Sequence, residues 1–538
     1  MISAWFKSRR RRRFDWSSRK QHEFADRTFR RFKLKLTVAY LTQGGAEMEN
    51  KMKLMQTIAV AAILATQVVL SGARAGNETP NLDVTALLKR LEELEQKVKA
   101  LEGKDSSAVA PELEQKVKIL ERKGELAEEA ATEKAKTTPL VTMGSGGLSV
   151  SSADSNFVMR VRGGLQADGR FFVGDSVAND SFYLRRVRPI LEGTVFGKFD
   201  YRLMADFASG VTQTTANNGS ILDAYLNARL LPEFQIQAGK FKEPVGLERL
   251  QSWRNLLFVE RGFPTQLVPN RDTGLMVHGN FWDNALAYQV GVFNGTADGG
   301  SSDFDANDGE KDVAGRLFAQ PFKRSSVEAL RGLGFGVAGT IGDHSGTPRT
   351  YVTDGAQRFF TYLTGTGTQP NVVNDGQTWR ITPQAYHYWG PFGVMGEYVV
   401  SSQELRQAGG GLGAGRKAIF NNTAWQVAAS YFLTGENNSF EQVLPRRSFS
   451  PANGAWGAWE LKARIGVLDV DNDAFPIFAN PAQSATKALV WGVGLNWHLN
   501  RNVKLQFDYD QTEFTGGNAN PALAQPEHLV LTRVQFAF

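Results

Sequence analysis

Charged side chains recur at alternate positions along this chain, and that spacing limits the chemistry they can do. Arg160 and Arg162, Lys198 with Arg202, Asp223 with Arg229, and Arg533 with Gln535 each stand one residue out of step with an apolar set. In an extended strand, residues spaced by two share a face. A face of guanidinium and ammonium groups attracts anions, and guanidinium adds planar, bidentate contacts to phosphate oxygens while staying fully charged. This is the chemistry of binding and electrodiffusion, not of bond breaking.

Motifs for other chemistry are weak. Gly334-Phe335-Gly336-Val337-Ala338-Gly339 fits G-x-G-x-x-G but lies inside an alternating run with no helix after it, so it is not a dinucleotide site. Asp303 to Gly309 opens like a calcium loop, yet its Gly comes one position late and Ala314 stands where a carboxylate is needed. The six His are scattered without metal-ligand spacing, and there is no Cys. No metal, cofactor or catalytic residue is expected, and the chain is not read as an enzyme.

The elements that carry the charges are strands. Phe199, Tyr201, Leu203 and Ala205 oppose Lys198, Asp200, Arg202 and Asp206, and Val503, Leu505, Phe507 and Tyr509 oppose Lys504, Gln506, Asp508 and Asp510. Such runs commonly reach ten residues or more, the length of a tilted membrane strand. Sixteen can be placed, near 156–168, 182–196, 198–208, 219–230, 233–242, 272–281, 284–293, 311–320, 332–341, 376–389, 391–402, 421–433, 455–468, 487–499, 502–513 and 528–538. Tight turns such as Phe196-Gly197-Lys198 and Trp282-Asp283-Asn284 mostly alternate with long polar connections, the asymmetry of an outer-membrane barrel. Segments 321–331 and 434–454 are long where a short turn is due, leaving the strand count open by two. About sixteen strands enclose a water-filled bore, so passive diffusion of small solutes is the default function.

The last strand, His528 to Phe538, sets Phe538, Phe536, Val534, Thr532 and Val530 against Ala537, Gln535 and Arg533. Its aromatic end is expected to face lipid, to be recognised by the barrel-assembly machinery, and to close the barrel against the strand at 156–168.

Ahead of the barrel, Lys51 and Lys53, the apolar stretch Leu54 to Leu70 and Ala73-Arg74-Ala75 form a signal peptide at 48–75. Residues 1–47, with the run Arg9 to Arg13, read as a mis-assigned start or a non-structural extension. Residues 1–75 hold 16 Lys and Arg against 5 Asp and Glu, so the +6 of the whole chain becomes −5 in the remainder, and nucleic-acid binding is not inferred. Val84, Leu87, Leu91, Leu94, Val98 and Leu101 form a heptad seam, and Leu94 to Glu102 is nearly repeated at Leu113 to Glu121. A short periplasmic coiled coil is therefore expected at 76–121, broken at Gly103 and Pro111, then a linker at 122–145 and the barrel at 146–538.

Several landmarks, in order, give a resemblance. Phe182-Tyr183-Leu184-Arg185-Arg186, Ala238-Gly239-Lys240-Phe241-Lys242, Gly246-Leu247-Glu248-Arg249, Val259-Glu260-Arg261, Leu433-Thr434-Gly435-Glu436, Gly457-Ala458-Trp459-Glu460 and Gly494-Leu495-Asn496-Trp497 make the chain resemble the phosphate-selective porin O/P family. The resemblance implies a homotrimer of sixteen-stranded antiparallel transmembrane β-barrels in the outer membrane of a Gram-negative bacterium, with the third outer loop, 243–271 here, folded inward. Leu247, Leu250, Trp253, Leu256 and Leu257 would form the apolar stripe of a short helix in that loop, leaving Arg249, Arg254, Arg261 and Arg271 free for the constriction. It also implies anion-binding roles for Arg185, Arg186, Arg249 and Arg261, with Asp223 as a counter-charge; Arg160, Arg162, Lys198, Arg202 and Arg229 are expected to line the pore. Residues 140–538 contain 34 Lys and Arg against 36 Asp and Glu, so any anion preference must come from placement.

The expectation is a porin passing small anions, phosphate or related oxyanions, through an Arg-lined constriction. The alternatives are a general or cation-preferring porin, an envelope tether that uses the barrel as an anchor, and an enzymatic barrel.

Overall fold

The computed structural model describes residues 110–538 except 175–177, 209–218, 305–308, 366–368 and 411–412. The extension 1–47, the signal peptide and the heptad segment before residue 110 lie outside the described residues. The first described element is helix α1, Ala110–Thr137. Pro111 stands in its first turn, where a missing N–H costs little. The helix runs on to Thr137, into the segment 122–145 expected as a linker; its Ala, Glu and Lys are strong helix formers.

A hairpin follows, β1 Leu140–Gly144 with β2 Gly147–Ser151, and β2 pairs with the start of β3. The barrel begins with β3 Val158–Phe172, β4 Ser181–Val195, β5 Phe199–Asp206, β6 Ser220–Leu231 and β7 Phe234–Lys242. It continues with β8 Arg271–Phe281, β9 Leu286–Phe293, β10 Asp312–Ala319 and β11 Leu333–Gly346. A small hairpin in the next loop, β12 Tyr351–Val352 and β13 Arg358–Phe360, precedes β14 Asn371–Trp389, β15 Phe392–Ala408 and β16 Lys417–Phe432. The last four strands are β17 Ala458–Asp469, β18 Ala485–His498, β19 Val503–Gly516 and β20 Glu527–Ala537.

From β3 to β20, omitting the β12–β13 hairpin, each strand pairs antiparallel with the next, and β20 returns to β3 with Gln535 opposite Gln166. Sixteen strands thus close a barrel, removing the unpaired edges that an open sheet would expose. The burial pattern is inside out. Leu226, Val337, Ile381, Val493 and Phe536 are exposed on the outer face, whereas Gln166, Asp168, Arg380, Gln426 and Arg533 are buried within. Phe196, Trp282 and Trp389 stand exposed at the short-turn end, like one aromatic girdle of a membrane barrel. At the turn after β4, Phe196 and Gly197 have φ of 53° and 65°, the left-handed pair that joins twisted strands tightly.

The two segments that left the strand count open, 321–331 and 434–454, are long connections at the short-turn end and add no barrel strand. The second enters the lumen: the Phe440 ring stacks on Tyr386 at 5.3 Å, and Gln251 donates to the Phe440 carbonyl at 2.9 Å. From the opposite end, the loop carrying β12 and β13 packs Tyr351, Phe359, Phe360 and Tyr362 against Phe420 and Phe478. Phe263 of the 243–270 loop meets Phe359 edge-on at 5.7 Å. An apolar core therefore fills part of the bore and supports the inward loop.

Candidate functional site

The site begins with an irregularity in β4. Pairing between β3 and β4 shifts by one residue at Arg185, so that Gln166 faces Arg186 and Ala167 faces Leu184. Such a bulge breaks the alternation of faces. Arg185 and Arg186 consequently both point into the lumen, and Arg188 follows on the same side.

The loop after β7 supplies the facing groups. It crosses the bore, held by side chains of the far wall. Lys504 donates to the Leu256 carbonyl at 3.0 Å, Lys462 to Leu257 at 2.8 Å, Arg464 to Glu260 at 2.9 Å and Gln535 to Arg254 at 3.0 Å. Asp508 accepts the Val259 amide at 2.7 Å. Because the wall satisfies this backbone, the helix shrinks to one turn, α2 Leu247–Leu250, rather than reaching Leu257 as expected. Leu247, Trp253 and Leu256 are still buried.

Arg185, Arg186, Arg188, Lys242, Arg249, Arg261 and Arg271 line one cavity of about 140 Å³ together with Trp253 and Asn270. Three of the seven cations have acidic partners. Arg185 binds Glu260 bidentately at 2.6 and 2.9 Å, Arg188 binds Asp206 at 2.7 Å, and Arg271 binds Asp223 at 2.7 Å. The other four bond to neutral groups: Arg186 to Gln166, Arg249 to the Thr265 carbonyl, Arg261 to the Glu248 and Gln251 carbonyls, and Lys242 to the Leu250 and Gln251 carbonyls. Among the described residues, none of these four pairs with a carboxylate.

Crowding shows in the loop groups. Burial and then Arg271 push Arg249 down to about 10, although Glu248 and Glu397 oppose this. Burial and Arg249 push Arg261 down to about 9. Burial alone would raise the Glu260 carboxyl, but Arg185, Arg186 and Arg533 outweigh it and hold that group well below the usual carboxylate range.

The structure brings Arg185, Arg186, Arg249 and Arg261 together at one cavity. Asp223 stands beside it, bridging Arg271 and Arg202. Arg202 and Arg162 share Glu192 at 3.0 and 2.8 Å, so an alternating chain of charges runs from β3 toward the cavity. Arg229 pairs with Asp200, and Arg160 lies exposed near the start of β3. Lys198 is a correction: it sits exposed in the turn before β5, at the barrel rim rather than along the bore. The sequence reading missed Arg188 and Lys242. The signals were present, since Arg188 keeps the parity of Arg186 and Lys242 ends the Ala-Gly-Lys-Phe-Lys landmark. Arg254 stands apart from the cavity, donating to the Gly163 and Phe538 carbonyls.

Other luminal cations are used differently. Lys462 pairs with Asp508, Arg464 with Asp354 and Asp510, and Arg533 with Asp168, all deeply buried. These cations hold the loop and are already neutralised.

The family model for "Phosphate-selective porin O and P" matches residues 159–538. The chain belongs to this family. The porin is 23% identical to Porin O of Pseudomonas aeruginosa over 440 residues, covering 76% of this chain and 95% of that one. Among solved structures it is similar to the outer membrane channel DcaP of Acinetobacter baumannii, at 10% identity over 74% of this chain and 99% of that one, with a TM-score of 0.44. It is also similar to an anion-selective porin from Comamonas acidovorans, at 11% identity over 71% and 99% of the two chains, with a TM-score of 0.42. The porin is an outer-membrane β-barrel channel for small solutes, not an enzyme.

Proposed function

We propose that the porin conducts small anions, with oxyanions of the phosphate class preferred, by electrodiffusion past the cluster around Arg186 and Lys242. The observation that carries this reading is the four cations, Arg186, Lys242, Arg249 and Arg261, around one cavity with no carboxylate partner among the described residues. The overall charge of the barrel region is nearly balanced, but Glu260, Asp206 and Asp223 beside the cavity are each bonded to another arginine. Guanidinium groups preorganised in a narrow, low-dielectric throat attract oxyanions strongly and steer them from a distance.

Reversal potentials across lipid bilayers in a salt gradient, with and without added phosphate, test the proposal. Anion preference with current reduction by phosphate is the expected result; cation preference sinks it in favour of a general or cation-preferring porin. A homotrimer, with the heptad segment in the periplasm and Phe538 read by the assembly machinery, belongs to the same reading, and cross-linking of the full chain in native membranes tests the trimer.

A further inference from the structure

Glu397 projects from β15 into the lumen but is not among the residues lining the cationic cavity. Its Oε2 accepts the Leu247 amide at 2.6 Å and its Oε1 the Glu248 amide at 3.2 Å. Gln426 of β16 donates its Nε2 to the same Oε1 at 3.1 Å and to Glu248 Oε2 at 2.9 Å. Glu248 Oε2 also accepts the Gly262 amide at 2.8 Å. Three donors on the two oxygens of Glu397 suit a carboxylate, which has no proton of its own to place.

Residues 247–262 therefore form a strap closed on Glu248: the Gly262 amide at its far end binds the Glu248 carboxylate, and Gln426 and Glu397 hold Glu248 in turn. Arg249 lies just inside the first end, and Arg261 stands immediately before the second. Arg261 also donates to the Glu248 carbonyl at 3.2 Å, so a shift of Glu248 carries Arg261 with it. Gly262 is required by the closeness of the tie, since a Cβ there would come within 1.9 Å of Gln426 Oε1. Hydrogen bonds to a charged acceptor are stronger than neutral ones and well suited to fix a strap whose one helical turn is Leu247–Leu250.

We propose that Glu397 is a positioning residue for anion selection: from outside the passage it sets the places of Arg249 and Arg261 through the Leu247 and Glu248 amides and through Gln426. This rests on reading the cationic cluster as the anion-selecting site. The sign of the effect separates it from simple electrostatics. A mere loss of negative charge beside the passage raises anion preference, whereas loss of positioning lowers it.

The test is the anion-to-cation permeability ratio in KCl gradients for purified, folded full-length protein, with the barrel checked by heat-modifiable gel mobility. Glu397→Gln is expected to lower the ratio about threefold or more, on the scale of one ordinary hydrogen bond. In an Arg249→Ala/Arg261→Ala background the same substitution should lower it no further, because residues acting as one unit are non-additive. An unchanged or raised ratio in Glu397→Gln overturns the proposal, as does an undiminished fall in the double-Ala background. If Arg249→Ala/Arg261→Ala alone leaves the ratio of the unaltered porin unchanged, the anion-selecting reading has failed instead. Should Glu397→Gln not fold, Gln426→Leu cuts the tie without changing charge, and a ratio equal to that of the unaltered porin overturns the proposal.

Discussion

Arg533 on the last strand and Asp168 on the first barrel strand form a buried bidentate pair at 2.7 and 2.6 Å, across the seam that closes the barrel. Arg533 also approaches Glu260 of the inward loop at 3.5 Å. The same guanidinium thus joins barrel closure to loop placement.

Breaking this pair from one side should be costly. Asp168→Asn or Arg533→Met leaves one buried charge without its partner, and the expected loss is about 3–5 kcal/mol. Replacing both should cost less than either alone. Denaturant titration of the refolded barrel, followed by gel mobility, measures the difference.

Neutralising acids that occupy cavity arginines should sharpen anion preference. Glu260→Gln frees Arg185 from its bidentate partner and adds one net positive charge to the site, so the anion-to-cation ratio should rise; Arg249→Ala should lower it. Reversal potentials of the two variants under one salt gradient should fall on opposite sides of the unaltered porin.

The pH dependence has a defined sign. Glu260 has a folded value below its ordinary 4.5, so its tie to Arg185 contributes fully above that value and is lost as pH falls through the lowered folded value. Anion preference should therefore rise on this account only once acid takes the pH below the ordinary carboxylate range and frees Arg185. Reversal potentials measured from neutral pH downward check this sign, and a fall in anion preference on acidification would contradict it.

The bulge in β4 makes a prediction about deletion. Removing Arg185 restores strict alternation, leaving Leu184 outside and Arg186 inside, so the barrel should assemble with one luminal cation fewer. Removing Ala463 from the regular strand β17 should exchange the faces of every residue on one side of the gap and block assembly. Heat-modifiable mobility distinguishes the two.

The strand architecture was legible because a membrane barrel imposes a period of two on every strand: Leu203 against Arg202, or Val534 against Arg533, reads the same way in sequence and structure. The cluster was legible only in part. Strict alternation puts Arg185 and Arg186 on opposite faces, and only the register shift brings both inward. Lys198 followed the period yet fell one residue outside its strand. The stripe from Leu247 to Leu257 looked helical because apolar spacing cannot reveal that Lys504, Lys462 and Gln506 across the bore would take those carbonyls. The start of the chain and most of its heptads lie outside the described residues, so those expectations stand as proposals.

The division of labour between the two walls has an electrical consequence. Lys462 and Arg464 on β17 face their own acids, while Arg186, Lys242, Arg249 and Arg261 face the cavity with no carboxylate partner among the described residues. Positive charge is thus gathered on one bank of the lumen, giving the throat a component of field across the direction of flow as well as along it. A solute with separated charges would be turned as it passes, its negative end leading toward the β4 side. Orientation as well as net charge would then decide which solutes cross readily.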